Sequence, residues 1–146
     1  MSSKQLTQTN LLSFFSISRD DKQQDRPFEE RIAVITACSK QKLDYEAPAS
    51  ELYQGDMFKK SRQIAQKLGA DFYILSAKHG LIKGSKIIEP YETVIQTKKD
   101  KDRLRSNLDE KILEKLALYE KVIIIMGQKY REILELFSKI ITTSCD

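Results

Sequence analysis

Three short apolar runs constrain the fold of this 146-residue chain more than any other feature. They are Ile32-Ala33-Val34-Ile35-Thr36, Asp71-Phe72-Tyr73-Ile74-Leu75-Ser76 and Val122-Ile123-Ile124-Ile125-Met126, rich in β-branched and aromatic residues. None alternates cleanly between apolar and polar. A strand wetted on one face alternates, whereas a strand buried on both faces of a parallel sheet reads as a continuous apolar run.

The segments between them carry a helical period. Residues 57–68 set Met57, Phe58, Ile64, Ala65 and Leu68 on one side, and Gly69 stands where a left-handed cap is expected. Residues 104–119 and 130–141 read as two further amphipathic helices. Strands separated by helices predict βαβ units with right-handed crossovers, hence an α/β three-layer sandwich with a mostly parallel central sheet.

Length allows one core, so residues 27–146 are expected to form a single domain. Residues 1–26 are rich in Ser, Gln, Thr and Asp and read as a disordered tail, too polar to offset their own ordering entropy. The longest apolar run is far below the roughly 20 residues of a transmembrane helix, and no apolar signal core opens the chain. This predicts no membrane partner and a location inside the cell, in the cytoplasm or on the nucleoid. Two distant cysteines and one histidine make a disulfide framework or a zinc site unexpected, and no cofactor is expected. A carboxylate magnesium site stays open. The net charge of +4 is uneven: residues 1–30 hold four basic and five acidic groups, which leaves about +5 on the remainder. That excess favours a polyanionic partner.

Inside the tail, Gln8-Thr9-Asn10-Leu11-Leu12-Ser13-Phe14-Phe15 is an apolar cluster that a polar segment would normally not expose. Leu11, Phe14 and Phe15 have spacings of three and four residues and share one face of a helical turn. The pattern resembles the clamp-interacting peptide of replication and repair proteins. The resemblance implies that Leu11, Phe14 and Phe15 fill a pocket on the sliding clamp (PCNA) while Gln8 hydrogen-bonds beside it. An apolar start packed on its own domain is the plainer alternative.

Two of the runs end in chemistry. Thr36-Ala37-Cys38-Ser39-Lys40-Gln41-Lys42 closes the first and Leu75-Ser76-Ala77-Lys78-His79-Gly80-Leu81 the second. Open α/β sheets gather ligands at the carboxyl ends of parallel strands. Backbone amides with Ser39, Lys40 and Lys42 suit a phosphate, and His79 beside Lys78 suits acid or base work. The plain alternatives are a solvated loop and a structural histidine. Glu89-Pro90-Tyr91-Glu92 offers a carboxylate and an aromatic face for stacking on a base, against an ordinary proline turn. Tyr53 and Gly55 before the first helix, and Gly127 after the third strand, add a further ring and close-approach glycines.

Taken in order, Cys38-Ser39-Lys40-x-Lys42, Ala49-x-x-Leu52-Tyr53-x-Gly55-x-x-Phe58, Ile74 to Leu81, Pro90-Tyr91 and Gly127-x-x-Tyr130 resemble a domain family of unknown function found in bacteria, archaea and phages. The resemblance spans about residues 31–135. More distantly the chain is similar to the peroxide-stress (YaaA-like) proteins and to a small domain attached to archaeal tRNA-guanine transglycosylase-type proteins. These resemblances imply a uracil-DNA-glycosylase-like fold. Cys38-Ser39-Lys40 and Lys78-His79-Gly80 stand where that enzyme carries its Gly-Gln-Asp-Pro-type and His-Pro-Ser loops.

The leading expectation is a clamp-recruited protein of DNA repair or DNA-base metabolism that binds DNA or a nucleotide, extending to a DNA glycosylase. Lys40 and Lys42 would hold phosphate, with Cys38, Ser39, Tyr53, Lys78 and Gly127 around the ligand. His79 would act on the departing base, Tyr91 would stack on it, and Glu89 or Asp44 would orient a water. The alternatives are a non-catalytic DNA-binding or clamp-regulating module, and an enzyme acting on free nucleotides.

Overall fold

The computed structural model describes residues 26–135. The clamp-like peptide, residues 8–15, lies outside them.

A 3-10 turn, Phe28–Glu30, leads into β1 (Ile32–Ala37). A loop then reaches β2 (Ala47–Pro48), the single turn α1 (Ala49–Leu52) and α2 (Asp56–Leu68). β3 (Asp71–Ser76), β4 (Gly80–Lys83) and β5 (Ile87–Ile88) follow. The described chain ends with α3 (Lys98–Ser106), α4 (Glu110–Leu116), β6 (Lys121–Ile125) and α5 (Gln128–Glu135).

Four strands form the central sheet in the order β4-β3-β1-β6. β1 runs parallel to both β3 and β6, with Val34 opposite Phe72 and Ile123, and β4 returns antiparallel to β3. β2 and β5 make a small antiparallel pair with Ala47 opposite Ile88. The chain is therefore a mixed α/β domain with a mostly parallel central sheet and helices, as its apolar runs predict.

Successive side chains of β1 point to opposite faces. Val34 packs with Ala65 of α2 on one face. Ala33 and Ile35 belong to the larger core, which includes Leu104 of α3, Leu113 and Leu116 of α4, and Ile133 of α5. Different helices thus cover the two faces. The core tolerates a polar group only where it is bonded. The Tyr119 hydroxyl donates to the buried Asp71 carboxylate and lies 2.9 Å from the Tyr73 hydroxyl.

Two expectations need correction. α2 buries only part of the face drawn from its apolar residues: Phe58 and Ala65 are buried, whereas Met57, Ile64 and Leu68 are 58%, 39% and 45% exposed. Ser61, a polar residue outside that expected face, is buried with them. Ser61 turns inward because its hydroxyl donates to the Met57 carbonyl and accepts from Thr36 Oγ1 on β1. The helix expected over residues 104–119 is two helices. Asp109 accepts from Lys111 N and starts α4, after α3 has ended at Asn107. Gly69 does cap α2 at φ 65°.

Among the described residues no helix is long and apolar enough to cross a membrane. Among them, too, no group of three or more His, Cys, Asp or Glu side chains is arranged to hold a metal ion.

Candidate functional site

β1 and β3 are parallel neighbours with Ala37 opposite Leu75, so Cys38 and Ser76 leave the sheet side by side at its carboxyl edge. Cys38 N still donates to the Leu75 carbonyl, one step beyond the strand. The loop that follows is strapped to residues 52–55. Lys42 and Tyr53 form an antiparallel bridge, and Leu43 N and Gln54 N donate to the carbonyls of Leu52 and Gln41. Ser39 Oγ accepts from Gly55 N at 3.1 Å and donates to the Gln41 carbonyl. A Cβ on Gly55 would lie 2.7 Å from Ser39 Cβ, so this crossing needs a glycine.

Beneath the loop sits a buried hydroxyl cluster. Tyr91 is its hub: its hydroxyl is 2.7 Å from Ser76 Oγ and 2.7 Å from the Tyr53 hydroxyl. Ser76 Oγ also accepts from the backbone N–H groups of Lys78 and His79, at 3.2 and 3.0 Å. One side chain thereby fixes the turn that carries His79. The His79 ring meets the Tyr91 ring edge-on at 5.5 Å between centroids, and the Lys42 ammonium stands 4.4 Å from the Tyr91 centroid. On the other side of the cluster, Cys38 Sγ accepts from Ala77 N and lies 3.4 Å from the Tyr130 hydroxyl of α5. Residues from β3, α5 and four loops converge here.

Burial pushes the Tyr53 hydroxyl up to about 12 and the Tyr91 and Tyr130 hydroxyls higher still. All three are neutral donors and acceptors at physiological pH. His79 is moved the other way: partial burial, then the charges of Lys78 and Lys86, lower it from 6.5. Both causes favour the neutral imidazole over the charged form.

The structure brings Cys38, Ser39, Lys42, Tyr53, His79 and Tyr91 together, but in other postures than the sequence suggests. Tyr53 and Tyr91 are 0% and 7% exposed and form the wall of the site, leaving no open ring for a base. Ser39 and Lys42 are engaged within the protein, the second also donating to the Lys40 carbonyl. Lys40, Lys78, Asp44 and Glu89 are exposed. Among the described residues no hydrogen bond ties Asp44 or Glu89 to the cluster. Gly127 is exposed, and a Cβ added there would meet nothing within 4 Å, so no contact among the described residues requires a glycine there.

Two residues of this cluster are absent from the expected site. Ser76 stands at the end of a strand run, where a hydroxyl among Ile, Leu and Ala is a legible signal that a buried polar group needs a partner. Tyr130 sits in the Gly127-x-x-Tyr130 motif, yet its approach to Cys38 depends on how α5 leaves β6.

Residues 32–145 match the family described as "Family of unknown function (DUF6884)". No curated protein and no solved structure matches the chain.

Proposed function

We propose, for a chain that belongs to the DUF6884 family of unknown function, a role in DNA repair or DNA-base metabolism: it binds DNA or a nucleotide at the carboxyl edge of its sheet and is recruited by the sliding clamp (PCNA). The supporting observation is the convergence of Cys38, Ser76, Lys42, His79 and Tyr91 at the ends of β1 and β3. Adjacent parallel strand ends are the usual ligand locus of such sheets. The basic excess outside residues 1–30 suits a phosphate-bearing ligand. The likeness to uracil-DNA glycosylases, to the peroxide-stress proteins and to the transglycosylase-attached domain, and the cytoplasmic or nucleoid location, belong to the same proposal.

In its enzymatic form the reading has His79 at the departing base and Asp44 or Glu89 on a water, cleaving an N-glycosidic bond. The exposure of Asp44 and Glu89, with no hydrogen bond among the described residues that holds either against the cluster, supports the second reading, a non-catalytic DNA-binding or clamp-regulating module, because a water would have no positioned carboxylate to orient it. Incubation with duplex and single strands carrying uracil, hypoxanthine, oxidised and alkylated bases separates the two. Alkali-labile sites that vanish in His79→Ala mark the enzyme. Binding without cleavage marks the module, and turnover of free nucleotides alone marks the nucleotide-processing alternative. For recruitment, Phe14→Ala/Phe15→Ala is expected to abolish heat release on titration into purified clamp. Undiminished binding overturns that part.

A further inference from the structure

We propose that a second groove, also lined by His79, holds a phosphate group on Lys83 and Lys86. The proposal rests on the nucleotide or nucleic-acid reading above and moves its phosphate contact away from the Cys38–Lys42 loop.

The groove has a volume of about 530 Å³ and is lined by His79, Lys83, Ser85, Lys86, Asn107 and Asp109, among others. It lies between β4, an edge strand, and the turn from α3 to α4. Gly80 builds it. With φ at 77°, this residue opens β4 in a conformation that favours glycine, and a Cβ would lie 3.1 Å from the Asn107 carbonyl. The turn can therefore close against the strand and form the opposite wall.

The charges decide the ligand. The acid lining it, Asp109, is already committed as the cap of α4, accepting from Lys111 N at 2.9 Å. Lys83 and Lys86 are exposed, and among the described residues neither is in an ion pair. The Ser85 hydroxyl and Asn107 amide add neutral donors. Two ammonium groups against one carboxylate leave the groove with a positive excess, which together with two neutral donors suits a phosphate. The Cys38–Lys42 loop is less available, since Ser39 is bonded to Gly55 and Gln41 and the Lys42 ammonium lies over Tyr91. The lowering of His79 by Lys86 agrees with a shared positive field. His79 belongs to both places, its ring against Tyr91 and its side chain lining the groove.

The chain has one histidine, so its imidazole resonance is an unambiguous probe. Orthophosphate, a nucleoside monophosphate and an oligothymidylate are titrated in turn into the full chain while the His79 pKa is followed by NMR. An anion in the groove favours the imidazolium, so the pKa is expected to rise on saturation and the rise to disappear in Lys83→Gln/Lys86→Gln. For the oligonucleotide, the slope of log affinity against log salt is expected to fall by about 0.7 for each lysine that meets a phosphate. A response to orthophosphate and nucleotide but not to the oligonucleotide supports the groove and removes the nucleic-acid ligand. Oligonucleotide binding that leaves His79 unmoved, survives Lys83→Gln/Lys86→Gln and is lost in Lys40→Gln overturns the groove while keeping the nucleic-acid reading. An imidazole indifferent to all three probes also overturns the groove.

Discussion

The Lys42 ammonium stands 4.4 Å from the centroid of the Tyr91 ring, 49 positions further along the sequence, and 5.8 Å from that of Tyr53. A cation over an aromatic face is attracted by the ring quadrupole, and the contribution is about 0.5–1 kcal/mol at accessible sites. Lys42→Met keeps most of the stem and removes the charge. Urea denaturation is expected to show a loss of that size, with Lys42→Arg close to the parent. A Met variant as stable as the parent would mean the contact contributes nothing.

Tyr91→Phe removes the hydroxyl that joins Ser76 to Tyr53. Leaving buried partners short of a hydrogen bond costs about 1–3 kcal/mol. Because Ser76 also holds the amides of Lys78 and His79, the effect should spread to the His79 turn. Hydrogen exchange at those two amides should quicken in Tyr91→Phe more than in Tyr73→Phe, whose hydroxyl lies in the separate Tyr119 network. Equal protection in both variants would show that the cluster does not order the turn.

Gly55→Ala places a methyl 2.7 Å from Ser39 Cβ, closer than real contacts allow. Overpacking of this kind costs about 1–3 kcal/mol. By contrast, Gly127→Ala meets nothing within 4 Å and should leave the midpoint of thermal unfolding nearly unchanged. The pair is checked by calorimetry. A larger loss at Gly127 than at Gly55 would reverse the argument.

The pH dependence of His79 has a definite sign. Its folded pKa is below the unfolded 6.5, chiefly through burial and then through Lys78 and Lys86. Below 6.5 the unfolded chain binds the proton first, so stability falls as pH drops from 6.5 towards the folded value and levels off beneath it. His79→Gln should flatten that part of the stability profile. NMR titration of the folded protein should place the imidazole below 6.5, and a value at or above 6.5 would contradict the described environment.

Much of the scaffold is legible in the sequence because the signals are local. The β1 and β3 runs carry their strands almost to the residue, and Gly69 marks the end of α2. β4 escaped notice because Gly80-Leu81-Ile82-Lys83 is short and becomes a strand by pairing with β3, with Ser76 opposite Gly80. α2 misled for a related reason. A helix orients by what it meets, and the buried side of α2 is the one that carries Phe58 and Ala65 into the core and Ser61 onto Thr36, leaving Met57, Ile64 and Leu68 exposed.

By itself the sequence determined that this chain builds a mostly parallel α/β sheet and that two chemically rich segments end neighbouring strands, since periodicity and strand-end position are properties of short stretches. Only the tertiary structure decided that Tyr53 and Tyr91 are walls rather than platforms, that Lys42 lies on a ring, and that Gly80 lets Asn107 shape a groove. Those outcomes depend on contacts between residues distant along the chain. Burial and hydrogen-bond partnership are set by what arrives from elsewhere, and no local pattern encodes which neighbour that will be.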